Sequence, residues 1–463
     1  MQNTPFERID AVIAAQKKYF ATGATLPIAF RRKQLDLFYK ALKKWERTIC
    51  DALWTDLHKS YEEAYLTETS IVLAEIREAR SKVGRWSRRE MKAPVMAVLP
   101  AMSYVVKEPL GTTLIVSPWN YPVQLLLNPL VGAIAAGCTA VLKPSPYVPT
   151  VSRVIGEMMA ETFPEEYIAV VQGNRDVNTH LFAHPFDLIF YTGSPAVAHT
   201  VMEAAAKHLT PVVLELGGKS PCIIDRTANI DVAAKRIAWG KTLNSGQTCI
   251  APDYILIHRD VKEAFIAAFK KQLVVLHGTD VQQSKHYVRM VSEKAFNRVS
   301  AYLEQGRIVC GGKTDAAERY IEPTLLDDVA LDAPVMQDEI FGPIFPLVTL
   351  DDDGSSFADK VVAFVTARPK PLAFYYYGRE KTAWDVIHRT SSGGACINDS
   401  IMHIVNTHMP FGGVGNSGMG RYHRRETFEA FTHRRAVLVT PTWIDVPFRY
   451  MPYKLFKFIR HIV

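Results

Sequence analysis

The stretch NSGQTCIAP, residues 244–252, places one cysteine after a short polar run and just before Ala-Pro. A thiol ionises at about 8.5, so it is a weak nucleophile until a base, a dipole or a bound cation activates it. Cys249 is therefore either an activated nucleophile or a small buried hydrophobe, the commoner fate of a free cysteine. In ELGGKSP (215–221), Glu215 closes an apolar run and two glycines lead the chain away without covering the carboxylate. In a desolvated cleft such a group is a general base near neutral pH; paired with Lys219 it is structural. SPWNYP (117–122) holds Asn120 between two aromatic residues. Its amide either donates to a developing oxyanion or satisfies turn backbone.

Other residues suit a nucleotide. DLIFYTGSPAVAHTVMEAAAKHL (187–209) reads as a buried strand, a turn through Gly193, Ser194 as N-cap, Pro195 in the first turn, and a helix. Free N–H groups and the positive dipole end at such a helix start attract a pyrophosphate, although an ordinary strand-to-helix unit has the same pattern. No G-x-G-x-x-G follows a strand, so the usual dinucleotide fingerprint is missing. Glu339 in EIFGP (339–343) offers an acceptor for ribose hydroxyls next to Phe341, or is simply a residue before a turn. Lys143, at the end of TAVLKP, either reaches a ribose or phosphate or is a solvated lysine.

These groups need elements to position them. Thr4 as N-cap, Pro5 at the first helical position and Glu7 as capping-box partner predict a helix that closes near Gly23. Helical, charged sequence continues to about residue 92, and MAVLPAMSYVVKEPLG reads as extended and hairpin-like. Short apolar strands then alternate with helices: 113–120, 139–145, 167–173, 187–193 and 212–218. A second series runs through 220–225, 254–260, 307–312, 345–350, 372–378 and 395–399. The fold class is α/β: two tandem parallel α/β domains, one Rossmann-like and one catalytic, with the site in the cleft between them. FGGVGNSGMG (411–420) is a tightly packed loop. VQLLLNPLVGAIAAGCTAVL (123–142) is apolar enough to suggest a membrane span. Asn128-Pro129, Gly132 and Gly137 break it, which predicts a buried helix ending near Gly137 and then a strand.

Composition narrows the classes. The 463 residues are 48% hydrophobic and 22% charged, with a formal net charge of +7. The basic residues lie in short scattered clusters close to acids, unlike the continuous stripe of a nucleic-acid binder. Six cysteines with no C-x-x-C pair argue against a disulfide framework or a structural metal, and for a reducing, cytoplasmic setting. The tail PFRYMPYKLFKFIRHIV mixes aromatics with Arg449, Lys454, Lys457 and Arg460. Contact with a membrane surface is one role for it; packing on its own or a neighbouring subunit is the favoured one.

TGSPAV, LELGGKSP, NSGQTCIAPDY, EIFGP and PFGGVGNSGMG stand in one order and register. From about residue 5 to 440 the chain resembles the NAD(P)-dependent aldehyde dehydrogenase superfamily. The short N-terminus, the PDY after the cysteine loop and GVGNSGMGRYH most resemble its class 3 branch of fatty and aromatic aldehyde dehydrogenases. The resemblance implies that Cys249 attacks the aldehyde, that Asn120 and the Cys249 N–H hold the oxyanion, and that Glu215 activates water to hydrolyse the thioacyl-enzyme. It implies cofactor contacts from Lys143, Gly193, Ser194, Glu339, Phe341 and Trp119, with NAD or NADP as cofactor. Tyr65, Trp119, Tyr121, Leu125 and Leu243 are expected to line an apolar entrance for medium-chain aliphatic or aromatic aldehydes. The expected domains are 1–85 with 108–214 for the cofactor and 215–425 for catalysis. Residues 86–107 and 426–463 are the expected oligomerisation arm and tail of a homodimer. Where the family commonly carries a ribose-binding Glu after LKPS, this chain has Pro146, which opens the site to NADP. Two other enzyme classes use the same residues: a thiol hydrolase, and a dehydrogenase that passes the acyl group to CoA.

Overall fold

The computed structural model of this chain describes residues 2–445, 449–453, 456 and 460. A six-stranded sheet has the order 418–419, 212–216, 188–193, 112–116, 139–143, 168–170, and every neighbouring pair is parallel except the first. A seven-stranded sheet has the order 307–310, 324–327, 344–350, 254–258, 221–224, 373–377, 394–397, again with an antiparallel pair at one edge. Both predicted series are thus present, each with an antiparallel edge strand that local sequence pattern did not reveal. The chain changes sheet between Leu216 and Pro221, shortly after the boundary expected at 214/215.

Strands buried on both faces read as continuous apolar runs, and 112–116, 139–143 and 254–258 are buried throughout. The helix Gln124–Ala136 is buried along its whole length and ends at Gly137 in the left-handed region, φ 96°, as expected. Among the described residues, no helix is long and apolar enough to cross a membrane. Lys454 and Lys457, on which the reading of the tail leaned, lie outside the described residues; Arg449 pairs with Asp445.

The first helix, Phe6–Ala21, corrects the expected capping box. Pro5 is the N-cap, and Thr4 instead joins the loop after strand Ile168–Val170, its Oγ1 accepting from the Gln172 N–H at 3.0 Å. A third sheet pairs Met102–Pro109 with Thr432–Val439 over eight residues and with Glu90–Lys92 on its other side.

Candidate active site

At the carboxyl ends of strands 112–116, 139–143, 188–193 and 212–216 lies a cavity of about 930 Å³. Residues 117–120, 143–147, 191–194 and 215–217 line it, together with Leu125, Cys249, Glu339 and Phe341. The catalytic candidates Cys249, Glu215 and Asn120 therefore share one space, as do the cofactor candidates Trp119, Lys143, Gly193, Ser194, Glu339 and Phe341. Of the expected entrance residues, Leu125 and Trp119 line the cavity, and Tyr65, Tyr121 and Leu243 lie outside its wall.

Glu215 sits near the end of strand Val212–Leu216, 3% exposed, and among the described residues neither carboxylate oxygen has a hydrogen-bond donor. Lys219 goes elsewhere: its ammonium donates to Asp253 at 2.5 Å and to the carbonyls of Val335 and Asp338. Desolvation, with no counter-ion to oppose it, raises the pKa of Glu215 well above the ordinary carboxylate range. Burial likewise pushes Glu339 up to about 8, with the nearby Asp253 adding to the effect. A Cβ on Gly217 would come within 2.1 Å of the Glu339 carboxylate, so a glycine is required there for the two segments to meet.

Cys249 follows an unusual backbone turn. Asn244, Ser245 and Gly246 are all left-handed, with φ of 51°, 51° and 71°. A Cβ at Gly246 would lie 2.3 Å from the Gly342 carbonyl, which ties the cysteine loop to the EIFGP segment. Gln247 supports the turn: its Nε2 donates to the Asn244 and Arg289 carbonyls, both at 3.1 Å, and its Oε1 accepts from the Val291 N–H at 3.0 Å. Burial raises the Cys249 thiol pKa, with Glu339 and Glu215 adding to it, and nearby backbone N–H groups partly oppose the shift.

Asn120 is 2% exposed and its Nδ2 donates to the Gln247 carbonyl at 2.9 Å. An amide nitrogen carries two protons, so one remains for a second acceptor. The Asn120 carbonyl accepts from the Lys59 ammonium at 3.1 Å and from Asn244 Nδ2 at 3.0 Å. Lys59 is fully buried, pairs with Glu68 at 2.9 Å, and lies 4.3 Å above the Tyr121 ring. Glu68 Oε2 accepts from the N–H groups of Val123 and Gln124, at the start of the buried helix. Sequence reading missed Gln247, Asn244, Lys59 and Glu68; the one local hint was the glutamine two residues before the cysteine.

On the nucleotide side, Ser194 caps the helix Pro195–Ala206 without a side-chain bond to it. Lys143 is 1% exposed, which excludes the solvated alternative; burial lowers its pKa to about 8, and its one hydrogen bond is to the Pro144 carbonyl. Trp119 and Phe341 meet edge to face with centroids 5.3 Å apart, Phe341 held at φ 48°. Ser117 Oγ and Thr192 Oγ1, both in the cavity wall, are buried without partners.

Known proteins resemble this chain along nearly its whole length. Residues 1–437 match the aldehyde dehydrogenase family. The chain is 46% identical over 448 residues to a 4,4'-diaponeurosporen-aldehyde dehydrogenase of Staphylococcus aureus, covering 96% of each. It is 40% identical over 457 residues to a dimeric NADP-preferring aldehyde dehydrogenase of Canis lupus familiaris, covering 98% of this chain and 100% of that one. A solved structure titled as the substrate-bound state of Staphylococcus aureus AldH superposes with a TM-score of 0.95 at 45% identity, covering 98% and 99% of the two chains. A chain matched over nearly its full length by both sequence and fold, with a cysteine, a carboxylate and an amide facing one cavity, belongs to the aldehyde dehydrogenase family and oxidises aldehydes to carboxylic acids.

Proposed function

We propose that Cys249, Asn120 and Glu215 divide this oxidation between them. The thiol of Cys249 adds to the aldehyde carbon: a C–S bond forms, the C=O π bond breaks onto oxygen to give an oxyanion, and the thiol proton passes to water in the open cavity. The free Nδ2 proton of Asn120 and the Cys249 N–H receive that charge. The chemistry that NAD or NADP would supply, when bound, is a hydride acceptor for the adduct at Cys249. Glu215 then removes a proton from the water that attacks the thioester at Cys249, and the carboxylic acid leaves with the thiol restored. The observation that carries this reading is the pair of bare, buried oxygens on Glu215, opening onto the same cavity as Cys249.

The cavity suits a dinucleotide. Its wall holds the orphaned hydroxyls of Ser117 and Thr192 and the uncapped helix start at Ser194. Lys143, Gly193 and Ser194 would hold the adenosine and phosphate side, and Glu339, Phe341 and Trp119 the nicotinamide side. Pro146 contributes no acceptor for a ribose hydroxyl, and Arg175 lines the same cavity, so NADP is accepted alongside NAD. Leu125 and Trp119, with Tyr65, Tyr121 and Leu243 around them, favour medium-chain aliphatic or aromatic aldehydes. A relative named for 4,4'-diaponeurosporen-aldehyde adds that compound to the panel worth testing. Residues 1–85 with 108–214 form the cofactor domain and 215–425 the catalytic one. The exposed strand Thr432–Val439 serves a homodimer, and the enzyme is cytoplasmic.

The test is near-ultraviolet absorbance with hexanal or benzaldehyde and each cofactor separately, beside a Cys249→Ala control. Reduced cofactor is expected only with Cys249 present, with either nucleotide and without CoA. Ester hydrolysis without any reduced cofactor would instead assign a thiol hydrolase, and a requirement for CoA an acylating dehydrogenase.

A further inference from the structure

Away from this cavity, three ligating atoms converge on the surface. Asp10 lies on the helix Phe6–Ala21, His180 on the helix Arg175–Phe182, and His184 two residues beyond that helix. Asp10 Oδ1 is 2.6 Å from His180 Nε2 and 3.0 Å from His184 Nε2, and the two imidazole nitrogens face each other at 3.4 Å. Phe6 stacks on the His180 ring at 4.3 Å and 6°, and the His184 ring meets His180 edge-on at 5.0 Å. The rings are thus aimed by aromatic packing. The two histidine side chains are about three-quarters buried, at 25% and 24% exposure, and Asp10 is half open to solvent at 52%.

We infer that Asp10, His180 and His184 form a binding site for a divalent first-row transition ion, with zinc as the reference metal. An ion held at about 2.0–2.2 Å by two imidazoles and a carboxylate separates tetrahedral ligand atoms by roughly 3.3 Å. The His–His spacing of 3.4 Å already matches, and only the carboxylate has to retreat, from 2.6 Å to His180 and 3.0 Å to His184. Nitrogen and oxygen donors without sulfur suit zinc, nickel or cobalt, and the open side at Asp10 leaves a position for water.

The placement gives the ion a structural role. The N-terminal segment already reaches this wall through Thr4 at Gln172 and through Asn3 Oδ1, which accepts from the Asn174 N–H at 3.0 Å. The helix bearing His180 presents Arg175, Asn178, Thr179 and Phe182 to the 930 Å³ cavity. A bound ion therefore fastens the first helix to a wall of that cavity.

The experiment is a cobalt(II) titration of the chelator-stripped full chain, followed by visible absorbance, together with thermal midpoints with and without zinc. One equivalent of cobalt should bind without the near-ultraviolet thiolate band that coordination at Cys249 would produce. His184→Ala and His180→Ala should each weaken binding at least tenfold and remove the zinc-dependent rise in midpoint. Asp10→Asn, which keeps a hydrogen-bonding group, should weaken cobalt binding while leaving the metal-free midpoint near wild type. Cobalt affinity unchanged in the histidine variants, binding no tighter than that of a single surface histidine, or a signal that alkylation of Cys249 abolishes would each overturn the site and leave an ordinary Asp–His contact.

Discussion

Glu215 keeps its proton more tightly than a solvated carboxylate, because burial penalises the charge and no cation offsets it. As the proposed base it works only when ionised, so hydrolysis of the thioester slows as pH falls through the raised pKa. Glu215→Gln should leave one rapid equivalent of reduced cofactor per active site and then lower steady-state turnover about 100-fold, with the rise of rate with pH flattened. A stopped-flow trace at several pH values reads both effects. Loss of the burst together with turnover would move Glu215 into an earlier step. Glu215, Cys249 and Asn120 stood out in sequence as candidates beside glycines or aromatics, but the residues alone left a structural role open for each. It was the resemblance of the ordered motifs that singled them out; the fold brings all three to one cavity. The alternative pairing of Glu215 with Lys219 was settled only by the fold, which sends that lysine to Asp253.

Between residue and fold lie elements that hold the site in shape without lining it. The buried Lys59–Glu68 pair joins the start of the helix Gln124–Ala136 to the Asn120 carbonyl. Lys59→Met leaves Glu68 buried without a counter-ion, and breaking such a pair from one side costs about 3–5 kcal/mol. We expect a lowered thermal midpoint, together with a kcat loss larger than any change in cofactor KM, because Asn120 loses a hold on its carbonyl. The double change Lys59→Met with Glu68→Leu should recover most of the stability but not the kcat. Recovery of both would make the pair purely structural. Lys59 left no trace in the sequence and Gln247 only a hint, because the Asn120 and Arg289 carbonyls that they bond lie 61 and 42 residues away. The capping box predicted at Thr4 failed because a long-range bond to Gln172 took the hydroxyl that the local rule assigned to the helix.

At the scale of the whole molecule, the strand Thr432–Val439 pairs on one side only among the described residues, and most of its residues are exposed. Met91, Val95, Met96, Leu438 and Val439 add apolar surface on the same small sheet and the segment leading into it. An open strand edge with apolar neighbours invites a second copy. Sedimentation velocity should report twice the 51.9 kDa chain mass. Replacing Val437 by proline, which removes a backbone donor from that strand, should shift the population toward monomer; a monomeric parent protein would end the proposal. The tandem α/β plan was legible because strands buried on both faces spell continuous apolar runs. Strand order was not, since pairing across a sheet leaves little trace in local pattern. The clearest case is Gly418–Met419, which pairs with the strand of Glu215 although the whole seven-stranded sheet lies between them in sequence. The strand that carries Glu215 therefore gains its second neighbour only once residues 418–419 have been made, after Asn120 and Cys249 are already in the chain.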